Sequence, residues 1–95
     1  MNAEIKQKWV EALRSGKYQQ GHYALQTGEA YCCLGVLCVV TGTKIFEGNS
    51  TRPDDCSYDG ILAHGVNNNE CARLWAMNDS NRSFAEIADY IEEHL

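Results

Sequence analysis

Apolar positions change their spacing several times along the chain, and each change marks an element. Ile5, Trp9, Ala12 and Leu13 recur at i, i+4, i+7 and i+8, the spacing of one apolar helical face, which predicts a helix over about Ala3 to Ser15. Asn2 is placed to cap its start and Gly16 to end it in a left-handed conformation, while Lys6, Lys8, Glu11 and Arg14 fill the wet side. Between Lys17 and Cys32 the helical period is lost. Tyr18, Tyr23 and Tyr31 surround Gln26-Thr27-Gly28-Glu29, a pattern that predicts a β-hairpin turning at Gly28, with Gly21 weakening or bulging its first strand.

Tyr31-Cys32-Cys33-Leu34-Gly35-Val36-Leu37-Cys38-Val39-Val40 belongs to the longest nearly uncharged run and has to be buried. Leu34, Leu37, Cys38 and Thr41 fit helical spacing and Gly42 stands where a helix would stop, although an all-apolar run is also compatible with a buried strand and Val39-Val40 lean that way. Gly35 favours the helix: glycine costs about 1 kcal/mol in either element but lets another backbone pack closely against a helix. A short strand is expected at 43–46, then the longest loop from Glu47 to Asp55, with a small apolar island at Ile61-Leu62-Ala63-His64-Gly65-Val66.

The last third carries the clearest signals. Cys71, Leu74 and Trp75 define a helix over about Asn69 to Met77, closed by Asn78-Asp79-Ser80-Asn81. Ser83 and Glu86 form a capping box, and Phe84, Ile87, Ala88, Ile91 and Leu95 then run at i, i+3, i+4, i+7 and i+11. The expected architecture is a single small α+β domain over residues 1–95, with three or four helices packed on a small antiparallel hairpin or sheet.

Composition and charge narrow the function classes. With 44% apolar and 22% charged residues the chain belongs with globular proteins. Thirteen acidic against eight scattered basic residues give a net charge of −5, and with no basic stripe to release counterions from phosphates a nucleic-acid binder is not expected. The acidity suits a basic protein partner or mimicry of nucleic-acid charge. No basic-then-apolar leader follows Met1, and the run from Ala30 to Val40 is about half the ~20 residues that span a bilayer, so a cytoplasmic location without membrane contact is expected. Five cysteines, an odd number, are then free thiols rather than a disulfide framework.

Three stretches carry a resemblance: Trp9-Val10-x-Ala12-Leu13-Arg14-Ser15-Gly16-x-Tyr18-x-Gln20-Gly21, then Cys32-Cys33-Leu34-Gly35-Val36-Leu37-Cys38, then Asn78-Asp79-x-x-x-Ser83-Phe84-x-Glu86-Ile87-Ala88. Together they resemble small proteins encoded by tailed bacteriophages and prophages, with residues 43–68 looking like a shortened variable region. The resemblance implies a phage accessory gene acting in the host bacterial cytoplasm, a class that commonly works against host defences; it implies no mechanism.

Three chemical readings compete. A cysteine at a helix start can be shifted towards the thiolate, so Cys32 or Cys33 could act as a nucleophile with His22 or His64 as base, Asn78 or Asp79 orienting it and Gln20 donating to an oxyanion; against this, adjacent cysteines in an apolar run are usually core. A metal could be held by Cys32, Cys33, Cys38, Cys56 and Cys71 with a histidine, but Cys33 and Cys38 project roughly 140° apart on a helix and the paired spacing of structural zinc is missing. The third reading is binding without chemistry and without a cofactor. Arg14, Tyr18 and Gln20 at one helix end, and Asn78, Asp79, Arg82 and Ser83 between two helices, could together hold a small nucleotide, although turn and cap chemistry alone accounts for most of these residue types. Trp9 and Trp75 are expected in the core, and Glu86, Asp89 and Glu93 form an acidic face that could meet a basic host protein. The leading expectation is a non-enzymatic, oligomeric protein that sequesters a small nucleotide-type immune signal; an inhibitor of a host defence protein comes second and a cysteine-dependent hydrolase third.

Overall fold

The computed structural model describes residues 1–22, 25–43 and 61–95. Helix α1 (Ala3–Arg14) starts where the Asn2 side chain accepts from the Glu4 and Ile5 amides, and it stops at Ser15, with Gly16 following at φ +75°. Trp9, Val10 and Leu13 are buried along its apolar stripe, with Ile5 and Ala12 half-buried beside them.

Three two-residue strands follow: β1 (Gln19–Gln20), β2 (Gln26–Thr27) and β3 (Ala30–Tyr31). β2 and β3 form the expected hairpin, pairing Thr27 with Ala30 across Gly28-Glu29. Gly28 has φ +60° while Glu29 does not enter the positive region, the pattern of a type II′ turn whose twist suits a hairpin. β1 joins the other edge of β3 in parallel, so the sheet is mixed, in the order β1-β3-β2. A two-residue strand has no alternation to read, and this parallel partner is visible only in three dimensions.

The sulfur-rich run is a helix, α2 (Cys33–Thr41), in which Cys33 through Cys38 are all buried. Gly35 has the reason anticipated for it. A Cβ there would overlap the Leu25 carbonyl, so the absent side chain is what lets the backbone preceding β2 lie against α2. Gly42 closes the helix in a left-handed conformation.

Apart from Thr43, the strand expected at 43–46 lies outside the described residues, as do the loop from Glu47 to Asp55, Cys56 and Tyr23. Residues 61–63 are helical, and Ile61 and Val66 of the apolar island are buried.

Helix α3 (Asn68–Asp79) is opened by a capping box between Asn67 and Glu70 and runs two residues further than its apolar spacing predicts. Asn78 and Asp79 therefore sit in its last turn, and the connector to α4 (Phe84–His94) is only Ser80 to Ser83, with Asn81 at φ +69°. The Ser83–Glu86 box opens α4 as expected, and Phe84, Ile87, Ala88 and Ile91 are buried. α1 packs on both α4 and α2, and α2 packs on α3, giving one core of the small α+β class. No helix among the described residues is long and apolar enough to cross a membrane.

Candidate functional site

Asn78 is buried, and all four hydrogen-bonding positions of its amide are used. Its Oδ1 accepts from the Cys33 amide at 3.2 Å and from Gln20 Nε2 at 3.0 Å; its Nδ2 donates to the Gly21 carbonyl at 2.8 Å and to Asp79 Oδ1 at 3.3 Å. Gln20 Nε2 also donates to the Arg82 carbonyl at 2.6 Å. One side chain thus ties α3 to β1 and to the first residue of α2, whose amide has no partner within its own helix. Among the seven residues expected to bind a ligand, this network unites Gln20, Asn78 and Asp79 with the backbone of Arg82, next to Ser83.

The remaining expected contacts go elsewhere. Ser83 Oγ accepts from the Glu86 amide while Glu86 returns a carboxylate to the Ser83 amide, so the start of α4 holds its own anion. The Ser83 amide, and after it the Arg82 guanidinium at 3.3 Å, hold the Glu86 carboxyl below its ordinary range. Arg14 reaches across to α4, with its guanidinium 2.6 Å from Asp89 and 2.5 Å from Glu92; hydrogen bonds to these two carboxylates push its already high pKa upwards. Tyr18 packs edge-on against Tyr31, ring centroids 6.0 Å apart. Both arginine side chains are therefore ion-paired, and Arg14 and Tyr18 stand apart from the Asn78 network.

The four described thiols are poor nucleophiles here. Cys32, Cys33, Cys38 and Cys71 are fully buried and unbonded to one another. Burial pushes Cys32 up to about 11 and Cys38 and Cys71 up to about 12, and raises Cys33 as well. Cys32 does stand at the α2 N-cap, but its sulfur accepts weakly from the Gly35 amide at 3.4 Å, and the Cys33 amide is held by Asn78 rather than aimed at a thiolate. Cys33 Sγ donates to the Leu74 carbonyl at 3.5 Å. Trp9 is core, its indole N–H donating to the Cys33 carbonyl at 2.9 Å. Among the described residues no group of three or more His, Cys, Asp or Glu side chains is arranged to hold a metal.

Among the described residues, openings that could admit a ligand lie on either side of α1. Towards α4, an opening of about 410 Å³ is lined by Lys6, Val10, Glu11, Arg14 and Glu92, but its arginine is already paired. Towards α2, an opening of about 490 Å³ is lined by Lys8, Glu11, Ser15, Lys17, Tyr18 and Val40. It shares Lys8 and Val40 with a narrower one of about 210 Å³ that adds Ile5, Thr41 and His64. The two make a trough along α1, and among the described residues neither Lys8 nor Lys17 is in an ion pair. Two ammonium groups against Glu11 give the wide end one net positive charge, on a protein whose overall charge is −5. The sequence reading places Lys8 merely on the wet side; the available signal is that Lys8, Glu11, Ala12 and Ser15 share one helical edge beside the apolar face.

The comparisons with known proteins reach only part of this. A family model for a domain of unknown function, DUF8296, matches residues 1–47. No curated protein and no solved structure matches the chain. The matched stretch contains α1, the sheet and α2, and so both lysines and Tyr18, whereas Asn78 and His64 lie beyond it.

Proposed function

We propose that the chain is a phage accessory, anti-defence protein of the host bacterial cytoplasm that captures a small nucleotide-type immune signal without altering it. The observation that carries this reading is the trough beside α1, where Lys8 and Lys17, in no ion pair among the described residues, flank Tyr18 and Ser15. Cations supply attraction for phosphate, a tyrosine supplies aromatic surface, and the opening is of the size that takes a small ligand. Burial of Cys32, Cys33, Cys38 and Cys71 favours binding over chemistry, because among the described residues no activated thiol faces the trough. Docking to a basic host protein is less favoured, since Glu86 and Asp89 of the acidic face are already paired with Arg82 and Arg14.

Native mass spectrometry of the protein recovered from phage-infected cells tests the proposal. The expected result is an oligomer carrying a phosphate-bearing small molecule that heat releases unchanged, and that Lys8→Ala and Lys17→Ala variants fail to retain. A chemically altered product, or retention undiminished in both variants, refutes it.

A further inference from the structure

At the narrow end of the trough a chain of hydroxyls determines which nitrogen of His64 carries the proton. Thr41 Oγ1 lies 2.8 Å from the Leu37 carbonyl and 2.8 Å from Thr43 Oγ1, which in turn lies 3.3 Å from His64 Nε2. Each threonine has one hydroxyl proton. The carbonyl can only accept, so Thr41 donates to Leu37; Thr43 then donates to Thr41, and His64 Nε2 carries the proton donated to Thr43. The reverse order would leave the Thr41 oxygen facing the Leu37 carbonyl with no proton between them, two acceptors at 2.8 Å. His64 cannot therefore act as a base towards Thr43, and its Nδ1, which has no partner among the described residues, is left as an acceptor in the neutral ring.

We propose that His64 is a specificity residue of the trough, accepting through Nδ1 a hydrogen bond from the amino group of a nucleobase. This rests on the reading of the trough as a nucleotide site. The phosphate belongs at the wide end with Lys8 and Lys17, and the base lies over the apolar side chains of Ile5 and Val40, which lead to His64. A base with an exocyclic amino donor satisfies the Nδ1 lone pair. One with only an acceptor at that edge leaves two lone pairs opposed.

The test is a calorimetric titration of the full chain with adenosine 5′-monophosphate and with purine riboside 5′-monophosphate, which differs only in lacking the amino group. The parent protein should bind the first roughly fivefold more tightly, the effect of one hydrogen bond, and His64→Phe should bind both alike. Far-ultraviolet circular dichroism and melting of the variant check its fold, and His64→Gln, which keeps an acceptor, should restore part of the preference. Equal binding of the two nucleotides by the parent, or a preference that survives in His64→Phe, overturns the role of His64 while leaving the trough as a nucleotide site. Binding of neither, or binding that Lys8→Ala and Lys17→Ala do not weaken, overturns the nucleotide reading and the His64 proposal with it.

Discussion

Removing the Asn78 amide should destabilise the protein more than its place near a helix end suggests. In Asn78→Ala the Cys33 N–H and the Gly21 carbonyl both lose their partner, while Gln20 keeps its bond to the Arg82 carbonyl and is not orphaned. A buried backbone group left unpaired costs about 1–3 kcal/mol, so two of them set an expected loss of about 3–4 kcal/mol. Domains of this size have total stabilities of about 5–14 kcal/mol, so this is a large share. It should lower Tm by roughly 12–32 °C, at about 4–8 °C per kcal/mol. Urea denaturation followed by tryptophan fluorescence measures it directly. Ser80→Ala, two residues on and exposed, is the control and should stay within about 0.5 kcal/mol of the parent. A double-mutant cycle with Gln20→Ala should show coupling of about 1 kcal/mol through the bond that Gln20 donates to Asn78. A loss below about 1 kcal/mol for Asn78→Ala would mean that water replaces the amide at little cost, and the view of Asn78 as the joint between α2, α3 and β1 would be wrong.

Other consequences follow from the same packing. Cys32, Cys33, Cys38 and Cys71 should resist alkylation at pH 7.5 in the native state and react fully in 8 M urea (roughly the strength that exposes buried side chains); fast native labelling of any of them by mass spectrometry would revive the nucleophile. Their folded pKa values lie above the unfolded value of about 8.5, so the stabilisation from keeping them protonated is complete below that pH and is lost as pH rises towards about 11 to 12. Stability measured by urea should therefore fall above pH 9 by up to about 1.4 kcal/mol per pH unit for each thiol, and a flat profile to pH 11 would contradict their burial. Gly35→Ala should cost about 2–3 kcal/mol or more, because the new methyl meets the Leu25 backbone rather than a movable side chain, and amide exchange in residues 25–32 should accelerate. Arg14→Ala should lower Tm slightly at low ionic strength and not at all in 1 M salt (a Debye length of about 3 Å), since its pairs with Asp89 and Glu92 are solvent-exposed; a salt-independent loss would point to packing instead.

Local causes made the helices and the hairpin legible in the sequence. Asn2 and Ser83 cap the helices they precede, Gly28 turns the hairpin, and the apolar spacing of α4 names its buried face, because each signal acts within about one helical turn of itself. Gly35 told even of a close approach, though not that Leu25 makes it. Asn78 shows where such reading stops. It completes the spacing Cys71, Leu74, Trp75, Asn78 and so belongs to the inward face of α3, yet a polar residue near a helix end looks like a terminator until its four partners are known.

Three of those four partners, Cys33, Gly21 and Gln20, lie 45 to 58 positions away in the chain, and no local pattern encodes such pairings. The same holds for the parallel pairing of β1 with β3, for Arg14 bridging to α4, and for the meeting of Lys8, Tyr18 and His64 along α1. The chain by itself determined the apolar faces of the longer helices, the caps that open α1 and α4 and most of the residues that must leave water, since backbone geometry and hydrophobicity act locally. Only the tertiary structure decided which polar side chains are consumed in holding the fold and which are left facing an opening, because a polar group's partner depends on what packing brings beside it.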